Sequence, residues 1–170
     1  MSLATTSLSA IIDQMITIIE ALTPSGPSSA PSAKTEALFR RARIKRTRVG
    51  DQVPNSARFR QFDIFPPKGS KRRDVGVLDP GANQVERMLR VTVAYPNLPV
   101  LYGVEELDDL FALAEADAVV LRDAIFSPGN LVAGQLDSTV TQDSLDQRDP
   151  ALWLLDLDVR VQYYATQTLT

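Results

Sequence analysis

The sequence predicts an α+β fold, in which an N-terminal helix and one central helix pack on a single mixed or mainly antiparallel sheet of about four to five strands. Two observations support this prediction. Two segments repeat apolar residues at helical spacing, and several shorter segments alternate apolar with polar residues, as strands with one buried face do. A chain of 170 residues is long enough to bury one hydrophobic core, so we expect residues 1–170 to form a single domain.

The first predicted element is an amphipathic helix over residues 7–22, with Thr6 or Ser7 as its N-cap. Its apolar positions follow one helix face, at Leu8, Ile11, Ile12, Met15, Ile19 and Leu22. Asp13 interrupts the apolar run and no basic residue precedes it, so we expect no signal peptide here. Residues 23–33 (TPSGPSSAPSA) follow as a Pro/Ser-rich linker, because this composition does not form a packed element.

The next segments have strand character. Residues 38–49 alternate apolar with basic residues and are predicted as a strand, although their first part also allows a helix. Residues 57–65 (ARFRQFDIF) form a strand that ends at two prolines, so the two segments are compatible with a long hairpin. Residues 66–84, rich in Pro, Gly and charge, are predicted as a long basic exposed loop. Residues 86–95 (ERMLRVTVAY) form the following strand.

The C-terminal half contains the strongest patterns. A helix is predicted over residues 104–126, with its buried stripe at Leu107, Leu110, Phe111, Ala114, Ala118, Leu121 and Ile125. Residues 130–142 are a weakly patterned strand. Residues 152–164 (LWLLDLDVRVQYY) are the clearest strand, with apolar residues on one face and charged residues on the other.

Positive and negative charges are separated along the chain. The chain carries 18 Lys and Arg against 21 Asp and Glu, a net charge of −3. Residues 1–90 hold 15 cations and 8 anions, whereas residues 91–170 hold 3 and 13, so the two parts carry +7 and −10. This asymmetry indicates partners of both signs, or contacts between the basic part of one copy and the acidic part of another.

The composition argues against catalysis. The chain has no His, which removes the commonest general base, and no Cys, which removes thiolate nucleophiles and metal ligands. We therefore expect no enzymatic activity and no cofactor. No apolar run approaches the roughly 18 residues of a membrane-spanning helix, so we expect no membrane partner.

Twelve of the 18 cations lie in residues 39–73, where only Asp51 and Asp63 oppose them. The candidate basic patch consists of Arg40, Arg41, Arg43, Lys45, Arg46, Arg48, Arg58, Arg60, Lys71, Arg72 and Arg73. Arginine suits bidentate contacts with phosphate or carboxylate. Three interpretations stay open: a surface close to a nucleic acid backbone, a protein interface, and a solvated face that confers solubility.

Two acidic groups are candidate interface residues. The first turns of the central helix contain Glu105, Glu106, Asp108 and Asp109, where the helix dipole favours negative charge whether they are solvated or in an interface. Asp156 and Asp158 lie on one face of a strand, roughly 7 Å apart. They either pair with arginines of a neighbouring strand or subunit, or hold Mg²⁺ in a nuclease-like site. Since no third acid stands at a suitable spacing, we predict no metal site.

Four segments in this order carry a family resemblance: an N-terminal amphipathic helix (AIIDQMITIIEAL), a basic connection into strands (RIKRTRV, RFRQFDIF, MLRVTVAYP), one acidic central helix (GVEELDDLFALAEADAVVLRDAIF) and a final one-sided strand (ALWLLDLDVRVQYY). Together they resemble the tail terminator or head–tail joining (neck) proteins of tailed bacteriophages. The resemblance covers most of the chain. It implies a small structural α+β subunit of a closed homo-oligomeric ring in the virion, usually a hexamer.

The resemblance also implies partners and a location. The ring would sit at the head-proximal end of the tail, end the polymerisation of the tail tube protein, and join the tail to the head connector or stopper protein. Genomic DNA would pass through its lumen, and assembly would take place in the host cytoplasm. The alternative is a non-catalytic nucleic-acid-binding accessory protein that uses the basic block of residues 39–73 to follow phosphates.

Overall fold

A computed structural model describes residues 4–23, 38–42, 58–69, 71, 73–79, 82–97, 108–149 and 152–166. Within these ranges the fold is α+β, with two helices and a six-stranded mixed sheet that does not close into a barrel. The helices are α1 (Leu8–Ala21) and α2 (Asp108–Phe126), and the strands are β1 (Arg40–Arg41), β2 (Gln61–Phe65), β3 (Arg73–Asp79), β4 (Ala82–Pro96), β5 (Gln135–Asp149) and β6 (Leu152–Thr166). The predicted class is confirmed, and the sheet has more strands than expected.

The sheet is organised around β4 and β6, and its strand order is β1-β2-β4-β6-β5. β6 pairs antiparallel with β4 along its full length, from Ala82 opposite Thr166 to Pro96 opposite Leu152. β2 and β3 both pair with β4, β2 with its second half and β3 with its first, so they lie end to end along its other edge. β5 forms a hairpin with β6.

The predicted hairpin between residues 38–49 and 57–65 is wrong. β1 runs parallel to β2, because Arg40 N–H donates to Arg60 O at 3.1 Å and Ala42 N–H donates to Phe62 O at 2.9 Å. Residues 43–50 lie outside the described part of the chain. β2 itself begins later than predicted, at Gln61, because residues 58–60 form a turn before it.

The predicted loop over residues 66–84 is also corrected, because residues 73–79 form β3. Asp79 pairs with Ala82, so β3 and β4 form a hairpin whose connection contains Pro80 and Gly81. The two register shifts in the β3–β4 ladder follow Asp74 and Val77. Because this region is rich in Pro, Gly and charged residues, its composition favours a loop, although the short segment DVGV alternates as a strand does. Most of the predicted linker, residues 24–33, lies outside the described residues.

Both helices pack on one face of the sheet and build the core with it. The odd-numbered side chains of β4 and β6 face the helices, and they include the fully buried Leu89, Val91 and Leu157. α1 contributes the buried Ile11, Met15, Ile16 and Ile19. As predicted, Ser7 caps α1, and its hydroxyl accepts a hydrogen bond from Ala10 N–H at 3.1 Å. No helix in the described ranges has the length and apolar character needed to cross a membrane.

The segment before α1 is fixed to the end of the β5–β6 hairpin. Thr6 N–H donates to Tyr164 O at 2.7 Å, and Tyr164 N–H donates to Gly134 O at 2.8 Å. Gly134 adopts φ +88°, and a Cβ there would lie 2.8 Å from Ala4 O. Only glycine satisfies both conditions, the left-handed backbone and the close approach.

Candidate assembly interface

The exposed part of the basic patch lies at one edge of the sheet. β1 is the outermost strand on that side, and Arg40 and Arg41 are both exposed. Lys71, two residues before β3, and Arg73, the first residue of β3, are exposed, and Arg58 is half-buried. The structure does not describe the remaining surface candidates, which are Arg43, Lys45, Arg46, Arg48 and Arg72. The exposed cations of the patch that it does describe therefore lie on β1 and around the start of β3.

Arg60 does not belong to this surface, which corrects its assignment to the basic patch. Its side chain is fully buried and forms a bidentate ion pair with Asp117 of α2, with Nε 2.7 Å from Oδ2 and a second nitrogen 2.8 Å from Oδ1. The hydroxyl of Tyr95 also donates to Asp117 Oδ2, at 2.8 Å. The guanidinium carbon lies 5.5 Å from the ring centroid of Phe39 and 5.1 Å from that of Phe59.

This buried cluster joins three parts of the fold. Arg60 precedes β2, Tyr95 lies in β4 and Asp117 lies in α2. Burial raises the pKa of the Asp117 carboxyl, and the hydrogen bonds from Arg60 and Tyr95 act against that rise by favouring the carboxylate. Arg60 also has φ +54°, a left-handed conformation that is rare for a residue with a side chain. The ion pair and the aromatic contacts hold Arg60 in this conformation.

Sequence reasoning missed Asp117, although a signal for it exists. Asp117 lies on the apolar stripe of α2, one residue before the buried Ala118 and three after the buried Ala114. A charged residue inside such a stripe indicates a buried partner, since an unpaired buried carboxylate is costly. The sequence does not show which of the many arginines is that partner.

Asp156 and Asp158 are held by a cation from the neighbouring strand. Arg90 of β4 lies opposite Asp158 in the ladder, and its nitrogens lie 2.6 and 2.8 Å from the two Asp158 oxygens and 3.4 Å from Asp156. Thr92 donates its hydroxyl to Asp156 at 2.6 Å. The hydrogen bond to Asp158 raises the pKa of Arg90 above its ordinary value.

This geometry bears out the expected pairing with arginine on a neighbouring strand. Asp156 is only 4% exposed, so it is not an interface carboxylate. The guanidinium of Arg90 contacts both carboxylates. Among the described residues, no group of three or more acidic side chains is placed to bind a metal.

The acidic candidates at the start of the central helix are only partly described. α2 begins at Asp108, the following residue Asp109 is helical, and Glu105 and Glu106 lie outside the described residues. The structure does not describe the side chains of these four residues.

The structure instead places acidic side chains at the second edge of the sheet, on β5. This strand contains Asp137, Asp143, Asp146 and Asp149 with a single arginine. Asp143 and Asp146 are exposed. Asp143 forms an ion pair with Arg122 of α2, and Asp137 lies 3.8 Å from Arg160. The polar composition of β5 explains why its strand pattern is weak in the sequence.

The basic edge and the acidic edge lie at the same position along the strand direction, because one row of paired residues joins them. The ladder connects Arg41 with Phe62, Phe62 with Val93, and Val93 with Leu155, which in turn lies opposite Leu145 of β5. One transverse row of the sheet therefore begins at the exposed arginines of β1 and ends on acidic β5.

A cavity of about 660 Å³ lies at the β5 side of the sheet, between α2 and the β5–β6 hairpin. Seven of its lining residues are apolar, namely Phe111, Ala114, Ala118, Val119, Leu145, Trp153 and Leu155. Phe111 and Trp153 pack edge to face, with ring centroids 4.9 Å apart. Polar side chains surround this surface, namely Glu115, Arg122, Asp143 and Ser144. Val119 is 52% exposed, so the apolar surface is open to a partner.

No model of a known protein family matches the chain, and no curated protein matches it either.

Proposed function

We propose that this protein is a structural subunit of a ring at the head-proximal end of a bacteriophage tail. The ring ends polymerisation of the tail tube protein and joins the tail to the head connector or stopper protein, and genomic DNA passes through its lumen. A hexamer is the proposed stoichiometry. This is a role in the virion, assembled in the host cytoplasm, and it requires no catalysis and no cofactor.

One observation carries the proposal: the sheet has a basic edge and an acidic edge at the same level. The exposed Arg40 and Arg41 lie on one outer strand, and the exposed Asp143 and Asp146 lie on the other. Such a subunit is suited to head-to-tail contacts, in which one patch meets a different patch on the next copy. Contacts of this kind close into a ring when neighbouring copies are related by rotation alone.

The level of the two edges favours a ring over a filament. If the strands run along the ring axis, edges at the same level allow neighbours to meet without a shift along that axis. Edges offset along the strands would instead add a rise with each copy and give a helical assembly. The observed register therefore supports a flat ring.

The test is native mass spectrometry and negative-stain microscopy of the purified protein, at low and moderate salt and with and without duplex DNA. We expect closed rings without DNA. A monomer that binds DNA with a steep salt dependence would instead support the accessory nucleic-acid-binding protein, and the exposed cations of the basic block among the described residues include Arg40, Arg41, Lys71 and Arg73. A protein that stays monomeric at every concentration and ignores DNA would contradict both functions.

A further inference from the structure

We propose that the cavity between α2 and the β5–β6 hairpin receives the segment Leu38–Arg41 of the neighbouring copy. This inference rests on the proposed ring and names its subunit contact. In this contact Leu38 packs against the apolar lining residues, while Arg41 lies beside the carboxylates of Glu115 and Asp143.

The segment has the chemistry that the cavity requires. Leu38 is 55% exposed and is one of five large apolar side chains in the described residues with an exposed surface. It lies two residues before β1, with the buried Phe39 between them, and both arginines of β1 are exposed. An apolar side chain followed by two cations thus stands at the basic edge of the sheet.

The cavity presents the complementary surface. Its lining includes Trp153 and Leu155 together with the carboxylates of Glu115 and Asp143, and Asp143 also pairs with Arg122 of the same lining. Glu115 is exposed and has no ion-pair partner among the described residues. Apolar contact at the centre with opposite charges at the rim is the usual anatomy of a specific protein interface.

The two surfaces cannot meet within one chain. β1 and β5 are separated by three strands, so four spacings of about 4.8 Å, or roughly 19 Å, lie between the two edges. Their levels nevertheless agree, because Arg40 and Arg41 share transverse rows with Leu154 and Leu155. A second copy placed beside the first at the same height therefore brings Leu38 to the cavity.

The absence of cysteine from the chain allows a direct test by disulfide cross-linking. The double variant Leu38→Cys/Val119→Cys places one thiol on each proposed surface. The matched control is Leu136→Cys/Val119→Cys, since Leu136 is also an exposed apolar residue but lies outside the cavity lining. On mild oxidation, we expect the first variant to form linked multimers up to the size of the ring. The control should show only the background from random collisions.

The outcomes separate this contact from the ring itself. If native mass spectrometry finds rings but the first variant links no better than the control, the contact is wrong and the ring proposal stands. If neither rings nor linked multimers form at any protein concentration, the ring proposal fails and the contact fails with it.

A charge exchange gives an independent test. Glu115→Lys should raise the protein concentration needed for ring formation by about tenfold, because like charges would face each other in the contact. Adding Arg41→Glu should reverse most of this effect. Asp123→Lys is the control, as it makes the same charge change at an exposed site on the same helix outside the cavity. Equal weakening by Glu115→Lys and Asp123→Lys would overturn the proposed contact.

Discussion

At the scale of single residues, Arg60 and Asp117 have the largest influence on the fold. Each side chain is fully buried, and each satisfies the other with two hydrogen bonds. An ion pair of this kind is costly to break from one side, because the remaining charge stays buried without a partner. The pair links the turn before β2 to the middle of α2.

We expect Arg60→Met to lower the free energy of unfolding by about 3–5 kcal/mol, since it leaves the Asp117 carboxylate buried without its cation. The double variant Arg60→Met/Asp117→Leu should recover much of that loss, because it removes both charges. Chemical denaturation of the two variants and the parent checks this. If the double variant is less stable than the single variant, the ion pair is not the reason for the loss.

The hydroxyl of Thr92 supports the second polar cluster. Thr92→Val removes a donor from the 96%-buried Asp156 and should cost about 1–3 kcal/mol. Thr139→Val is the matched control, since Thr139 also donates to an aspartate, Asp137, but at a part-exposed site. Thermal unfolding of both variants should show the larger loss for Thr92→Val. Equal losses would indicate that the effect comes from the strand position and not from the buried carboxylate.

At the scale of elements, the sequence predicts those whose apolar side chains repeat regularly. α1, α2 and β6 lie within about two to four residues of their predicted bounds, because one face of each is buried and its periodicity is strong. β3 and β5 are not predicted as they occur. β3 lies in a Pro/Gly-rich basic region, and β5 is an edge strand with mostly polar residues. The partner of Asp117 lies 57 residues away, so local patterns cannot identify it.

The contact between the N-terminal segment and the turn before β5 depends on Gly134. Gly134→Ala combines a left-handed backbone with a Cβ 2.8 Å from Ala4 O, so we expect it to destabilise the fold by more than about 1 kcal/mol. The control is Gly129→Ala, where φ is ordinary and the nearest atom to the new Cβ is 3.9 Å away. Denaturant unfolding measures both. A similar stability for the two variants would show that the N-terminal segment moves aside without cost.

At the scale of the whole molecule, the separation of charge along the sequence becomes a separation in space. The division into +7 and −10 is visible in the sequence, but the level of the two edges is not. The relative position of the two edges depends on the register of the four pairings that join β1, β2, β4, β6 and β5. Local sequence patterns do not determine these registers.

Assembly through these edges should depend on salt. Raising the ionic strength from 0.1 to 1 M shortens the screening length from about 10 to about 3 Å, so rings should dissociate at a given protein concentration. Arg40→Glu/Arg41→Glu should prevent ring formation already at 0.1 M salt. Lys71→Glu/Arg73→Glu is the control, because it reverses two exposed cations around the start of β3 instead of those on β1. Sedimentation velocity measures the oligomer in each case. Rings that persist in the β1 variant would contradict a role of this edge in assembly.

The irregular ladder of β5 has a consequence for how this molecule avoids unwanted association. Each of the three register shifts between β5 and β6 places the extra residue on β5. The longest regular run between shifts covers five residues, from Gln142 to Asp146. A strand from an unfolded chain would therefore meet no long, regular row of backbone hydrogen-bonding groups with which to pair. The irregular edge thus disfavours the edge-to-edge pairing of strands from which amyloid-like fibrils grow.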